Sequence, residues 1–138
     1  MRLLICSDIH FHEHSDFSYI LPDGKNSRLT DIIDIFLRIP VLYRKYDCQA
    51  VLFAGDMFHH PRSIMTQTYQ RVYEALEVVC SSIDQLILLK GNHDQALFQN
   101  TRATALYPLK NLPNISIVLD QDEILLKHKN EEAVLSLL

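Results

Sequence analysis

Ala50-Val51-Leu52-Phe53-Ala54-Gly55-Asp56-Met57-Phe58-His59 passes without interruption from five apolar residues into a glycine, a carboxylate and, shortly after, an imidazole. An apolar run this short that ends on a turn residue reads as a strand buried on both faces, with its polar groups just past the carboxyl end. The same order recurs on either side. Residues 2–6 lead into Ser7-Asp8-Ile9-His10, and residues 85–89 lead into Gly91-Asn92-His93-Asp94. In an open α/β sheet, ligands collect outside the carboxyl ends of the strands, so three such loops can converge on one cavity. Carboxylate, amide and imidazole groups suit a pair of divalent cations of the manganese, iron or zinc type. The pattern points to metal-assisted hydrolysis.

Between these strands the periodicity is helical. Leu29, Ile32, Ile33, Phe36 and Ile39 recur at three- and four-residue steps and predict a helix capped by Asn26 or Ser27. Pro40 should kink or end it, with helix resuming through Tyr43 and Tyr46. Met65, Tyr69, Val72, Tyr73, Leu76 and Val79 mark a second amphipathic helix, with Gln70, Arg71, Glu74 and Glu77 on its other face. Alternating strands and helices predict a parallel sheet with right-handed crossovers. Beyond Asp94 the expectations are a short helix over 103–109 ending near Pro108, strands over 115–119 and 123–127, and a strand or helix over 132–138. Asp120-Gln121-Asp122 reads as the turn of an antiparallel hairpin.

A chain of 138 residues with 48% hydrophobic content builds a real core, and without repeats or linkers the expectation is a single domain over 1–138. Thirteen basic against seventeen acidic residues, a net charge of -4, rule out bulk attraction to nucleic acid but leave room for a local basic groove. Cys6, Cys48 and Cys80 are odd in number, lack CxxC spacing and sit beside apolar neighbours, which predicts buried thiols in a reducing compartment. The first apolar run is broken by Asp8 and His10 before it reaches signal length, and no run approaches the roughly 20 residues that span a bilayer. A cytoplasmic protein without membrane contact is the expectation.

Asp8 and His10 are two apart, so on an extended segment their side chains point the same way and can grip one cation. Asp56 follows Gly55, and a carboxylate there can bridge two cations roughly 3.5–4 Å apart. Asn92 offers a neutral carbonyl oxygen. His93 and Asp94 read as an imidazole and carboxylate pair in which the acid fixes the ring and raises its basicity. Taken singly, each motif is also an ordinary solvated loop or a Gly-Asn turn, and only their conjunction carries the reading. His12 and His14 alternate with His10 and read as exposed loop residues rather than a third cation site. His128, between Lys127 and Lys129, reads as solvated.

These motifs resemble those of the calcineurin-like metallophosphoesterases, whose pattern runs Asp-x-His, Gly-Asp, Gly-Asn-His-Asp/Glu and then later histidines. Within that family the nearer likeness is to the Mre11 and SbcD nuclease branch, through Ser-Asp-Ile-His at 7–10 and Gly-Asp-Met-Phe-His at 55–59 with Pro61 soon after. The resemblance implies an α/β fold, the N-terminal part of an αββα sandwich with a mostly parallel sheet and flanking helices. It implies two divalent metal ions, manganese first, with magnesium, iron or zinc as alternatives. Asp8 and His10 would hold the first ion, Asp56 would bridge and Asn92 would hold the second. His93 would act on the phosphate or the leaving oxygen with Asp94 orienting it, and His59 would place a DNA phosphate. His60 receives no role. DNA and an ATPase of the Rad50 or SbcC kind are the implied partners.

The later metal-binding histidines of that pattern have no counterpart here, so the expectation is an incomplete domain with a weak second site and exposed apolar surface. That predicts a homodimer or association with another chain. The leading function is a metal-dependent DNA nuclease. The alternatives are a phosphatase or phosphodiesterase for small phosphoesters, and a non-catalytic interaction protein that pairs through the helix at 65–79.

Overall fold

The computed structural model describes residues 1–60, 63–95, 103–120 and 122–137. Four strands, β1 (Leu3–Cys6), β2 (Ala50–Ala54), β3 (Leu86–Leu89) and β4 (Ile115–Val118), form one all-parallel sheet in that spatial order. Leu3 pairs with Ala50, Val51 with Leu86, and Leu86 with Ile115. Sequential order with right-handed crossovers places the connecting helices on one face. They are α1 (Ser27–Phe36), α2 (Ile39–Lys45) and α3 (Thr66–Ser82).

Alternation along the strands divides the apolar residues between two layers. Val51, Phe53, Leu86 and Leu88 pack with Leu29, Ile33 and Phe36 of α1, Tyr43 of α2 and Val72, Leu76 and Val79 of α3. Ala50, Leu52, Ile87 and Val118 face the other way, against Leu126 and Leu137 of an antiparallel hairpin made by β5 (Asp122–His128) and β6 (Glu131–Leu137). A parallel sheet needs both faces covered, and these two layers supply the cover. Ile5, on the hairpin side of edge strand β1, stays 63% exposed, a gap in that cover. The Cys48 and Cys80 thiols are buried, Cys6 is half-buried, and all three are free. Burial pushes Cys6 and Cys80 up to about 11, so they behave as small hydrophobes.

Local sequence explains the helix ends. Asn26 is the α1 cap, its side chain accepting from the Leu29 N–H at 3.0 Å, while the Ser27 hydroxyl accepts from the Tyr19 N–H at 3.1 Å. Pro40 falls in the first turn of α2, where its missing N–H would have no intrahelical partner anyway.

Two expectations for the later chain need correction. The hairpin turn is Lys129-Asn130, with Lys129 left-handed at φ 54, and not Asp120-Gln121-Asp122. β4 instead pairs parallel to β3, Asp122 opens β5, and Gln121 lies outside the described residues. The segment near Pro108 is a 3-10 turn, Tyr107–Asn111, that the proline begins rather than ends. The stretch expected as strand or helix is strand β6, with Leu138 outside the described residues. Among the described residues, no helix is long and apolar enough to cross a membrane.

Candidate metal centre

The loops after β1, β2 and β3 meet because their backbones are tied to one another. The Asp8 N–H donates to Gly55 O at 3.1 Å, His10 N–H to Asp56 O at 3.1 Å and Phe11 N–H to Met57 O at 2.8 Å, which continues the β1 and β2 pairing past the strand ends. Asp94, in the 3-10 turn Asn92–Asp94, joins the third loop to the second. Its carboxylate accepts from the backbone N–H of Phe58 at 3.0 Å, Gly91 at 3.0 Å and Met57 at 3.3 Å. Burial pushes the Asp94 pKa up, and these three donors oppose that shift.

The backbone there is strained. Asp8 (φ 56), His10 (φ 48) and Asp56 (φ 58) all occupy the left-handed region, which costs a non-glycine residue roughly 1–2 kcal/mol. Asp8 and His10 therefore converge through two left-handed residues, not through the extended geometry their spacing suggested. Gly55 is left-handed at φ 93, and a Cβ on it would stand 3.0 Å from the Gly91 Cα. A Cβ on Gly91 would overlap both the carboxylate and the backbone nitrogen of Asp56. The two glycines thus let the second and third loops touch.

One ligand atom from each of Asp8, His10 and Asp56 lies within 4.8 Å of the other two. His10 Nε2 is 3.9 Å from Asp8 Oδ1 and 4.0 Å from Asp56 Oδ2, too far for hydrogen bonds. Donors around a small octahedral cation stand roughly 3–4 Å apart, so the spacing fits a shared divalent ion. Asp56 Oδ1 accepts from the His93 N–H at 2.9 Å, which leaves Oδ2 turned toward His10. The Asp8 side chain, 66% exposed, forms the open side of this group. Asn92 is exposed, one residue before the amide that holds Asp56.

The expected His93 and Asp94 pair is corrected: Asp94 turns inward to the backbone donors just described, and His93 Nδ1 donates to the His59 carbonyl at 2.6 Å. In the neutral ring that bond commits the proton to Nδ1 and makes Nε2 the acceptor. His59 lies against His10 and His93, with ring centroids 5.4 and 5.9 Å away.

His12 and His14 are half-buried rather than exposed, 5.3 and 5.0 Å from the His59 ring, and His60 is 4.6 Å from it. Burial first, and the neighbouring imidazoles and other cations after it, lower the pKa of His12, His14 and His59. This histidine cluster and the Gly91 approach are what the sequence reading missed. The alternation of His10, His12 and His14 was the available signal for the first. His128 lies at the opposite end of the sheet, beside Met1, Arg2, Asp47 and Gln49. Pro61 lies outside the described residues.

Parallel strands, helices on one face and acidic and imidazole donors at the carboxyl end define an α/β metallophosphoesterase fold. Residues 1–134 match the family described as calcineurin-like phosphoesterase, and the chain belongs to that family. Family members use divalent metals for phosphoester hydrolysis. The fold is similar to that of the Pseudomonas putida nuclease MPE, with 18% identity and a TM-score of 0.48, covering 84% of this chain and 46% of that one. It is similar to Yfce, a phosphoesterase from E. coli, with 18% identity and a TM-score of 0.47, covering 98% of this chain and 56% of that one. The chain spans about half the length of these two structures. No curated protein matches it.

Proposed function

We propose that this chain is the metal-binding part of a DNA nuclease of the Mre11 and SbcD kind, cleaving phosphodiesters with manganese as the preferred ion. The observation that carries the proposal is the position of His59, from Gly-Asp-Met-Phe-His, directly against His10 and His93. An imidazole there can hold a phosphate of a long substrate beside the scissile one. Residues 1–138 act within one domain, working with an ATPase of the Rad50 or SbcC kind and with a second copy of the chain.

Asp8, His10 and Asp56 hold the first cation, and Asp56 with Asn92 holds the second. Three protein donors against two make the first site the tighter. When bound, the cations polarise the phosphoryl oxygens and lower the pKa of water. The chain's own groups do the rest. His93, its Nδ1–H held by the His59 carbonyl, presents Nε2, which in the doubly protonated imidazolium can donate its own proton to the leaving oxygen or stabilise charge on the phosphate. Asp94 acts as a clamp, holding Met57, Phe58 and Gly91 so that Asp56 and His93 keep their places.

The test compares manganese-dependent turnover of single-stranded DNA with that of a nitrophenyl phosphoester, for the native chain and for His59→Ala. Degradation of DNA that falls in His59→Ala, with the small ester little affected, supports the nuclease. Turnover of the small ester alone makes the protein a small-molecule phosphoesterase. Manganese binding without turnover of either substrate makes it a non-catalytic relative.

A further inference from the structure

Beside the carboxylate group, one ring nitrogen from each of His10, His59 and His93 lies within 4.8 Å of the other two. We propose that these three residues form an all-imidazole cation site for zinc-class ions, sharing only His10 with the carboxylate site. This goes beyond the reading above, in which His59 and His93 face the phosphate and bind no ion.

Three observations meet at the site. Its donors are three neutral nitrogens without a carboxylate, a set that favours zinc over manganese and matches the three-ligand zinc centre with an open fourth position. His10 Nδ1 and His59 Nδ1 are buried with no hydrogen-bond partner among the described residues, so each has a nitrogen whose pairing the protein leaves unmet. His93 is oriented as a ligating imidazole usually is, one ring N–H fixed on a backbone carbonyl and the other nitrogen without a hydrogen-bond partner among the described residues. Nitrogens around a tetrahedral zinc stand roughly 3.3 Å apart, so ring movements on the order of 1 Å close the site. An ion there withdraws His10 from the carboxylates and His59 and His93 from the phosphate, so zinc in excess acts against hydrolysis.

Calorimetric titration with zinc chloride and, separately, manganese chloride tests the proposal on the native chain and on His59→Ala, His93→Ala and Asp8→Asn, with circular dichroism to check folding. In both histidine variants zinc affinity should fall at least about tenfold, the loss caused by removing even an outer-sphere partner, while manganese affinity stays within about twofold. Asp8→Asn should do the reverse. Unchanged zinc affinity in both histidine variants, or equal weakening of the two ions, overturns the proposal. Should either histidine variant fail to fold, cobalt(II) on the native chain decides: strong visible absorption of a tetrahedral nitrogen-bound ion, displaced by zinc, supports the site, and the weak absorption of a six-coordinate ion overturns it. A chain that binds zinc in this way but no manganese would refute the carboxylate site and leave this one standing.

Discussion

At the carboxyl end of the sheet Asp8, His10 and Asp56 are left-handed and turn their side chains toward one another. At the amino end Asp47 (φ 51) and Lys129 (φ 54) are left-handed too, yet they only reverse the chain, beside a shallow hollow of ≈ 410 Å³ that they share with Arg2 and His128. Strained backbone is thus no mark of a site on its own. What sets the carboxyl end apart is the bonding between loops. Asp8 and His10 donate to the second loop, Asp94 gathers three amides from the second and third, and glycines stand where the chains touch. The strain is held there by contacts from three separate parts of the chain, as expected where a geometry serves a ligand.

Gly91→Ala is the most severe way to break this contrast. Its Cβ would meet the backbone of Asp56, which cannot swing away as a side-chain tip could. A loss of about 3 kcal/mol in urea unfolding is expected, together with loss of manganese binding. Asp94→Ala strands three backbone donors and should cost about 2 kcal/mol, with weaker manganese binding as Asp56 and His93 loosen. Unchanged metal affinity in a folded Asp94→Ala chain would remove the clamp role.

Acidification should separate the two ends next. His12, His14 and His59 have folded-state pKa values below the ordinary 6.5, so the unfolded chain takes up protons first. Their effect on stability is absent well above pH 6.5 and grows as a loss when pH falls below it toward the folded values. The melting temperature of the native chain should drop between pH 7.5 and pH 5.5, and that drop should shrink in His12→Gln/His14→Gln.

A smaller effect sharpens the role of strain. Asp8→Gly and Lys129→Gly both relieve a left-handed residue and should each raise stability by about 1 kcal/mol or less, since glycine's larger unfolded-state entropy offsets part of the relief. Only Asp8→Gly should lose manganese. The smallest change belongs to Lys127→Ala, which removes an exposed ion pair with Glu132 and should move stability by about 0.5 kcal/mol or less. A larger loss would show that the hairpin depends on its surface charges.

The three strand-and-loop motifs could be read from the chain because each apolar run is local and its polar residues follow at once. The hairpin could not. Two apolar runs separated by Asp120-Gln121-Asp122 look antiparallel in isolation, but the free edge of β3 is available to Ile115–Val118, and no local signal reports that edge. His93 and Asp94 are neighbours in sequence and looked like partners, yet the 3-10 turn sends Asp94 into the core while His93 stays half-buried against the His59 carbonyl. The cap of α1 was narrowed to two adjacent residues, and backbone direction chose Asn26.

Residue order alone specified a parallel α/β sheet, the helices on its flank and the donors waiting at the strand ends, because burial period and turn chemistry act over a few residues. Which donors meet was settled by folding: His59 beside His10 and His93, Gly91 against Asp56, and Asp94 under both loops. Those contacts join residues far apart in the chain, and they form only once the sheet has brought the strand ends side by side.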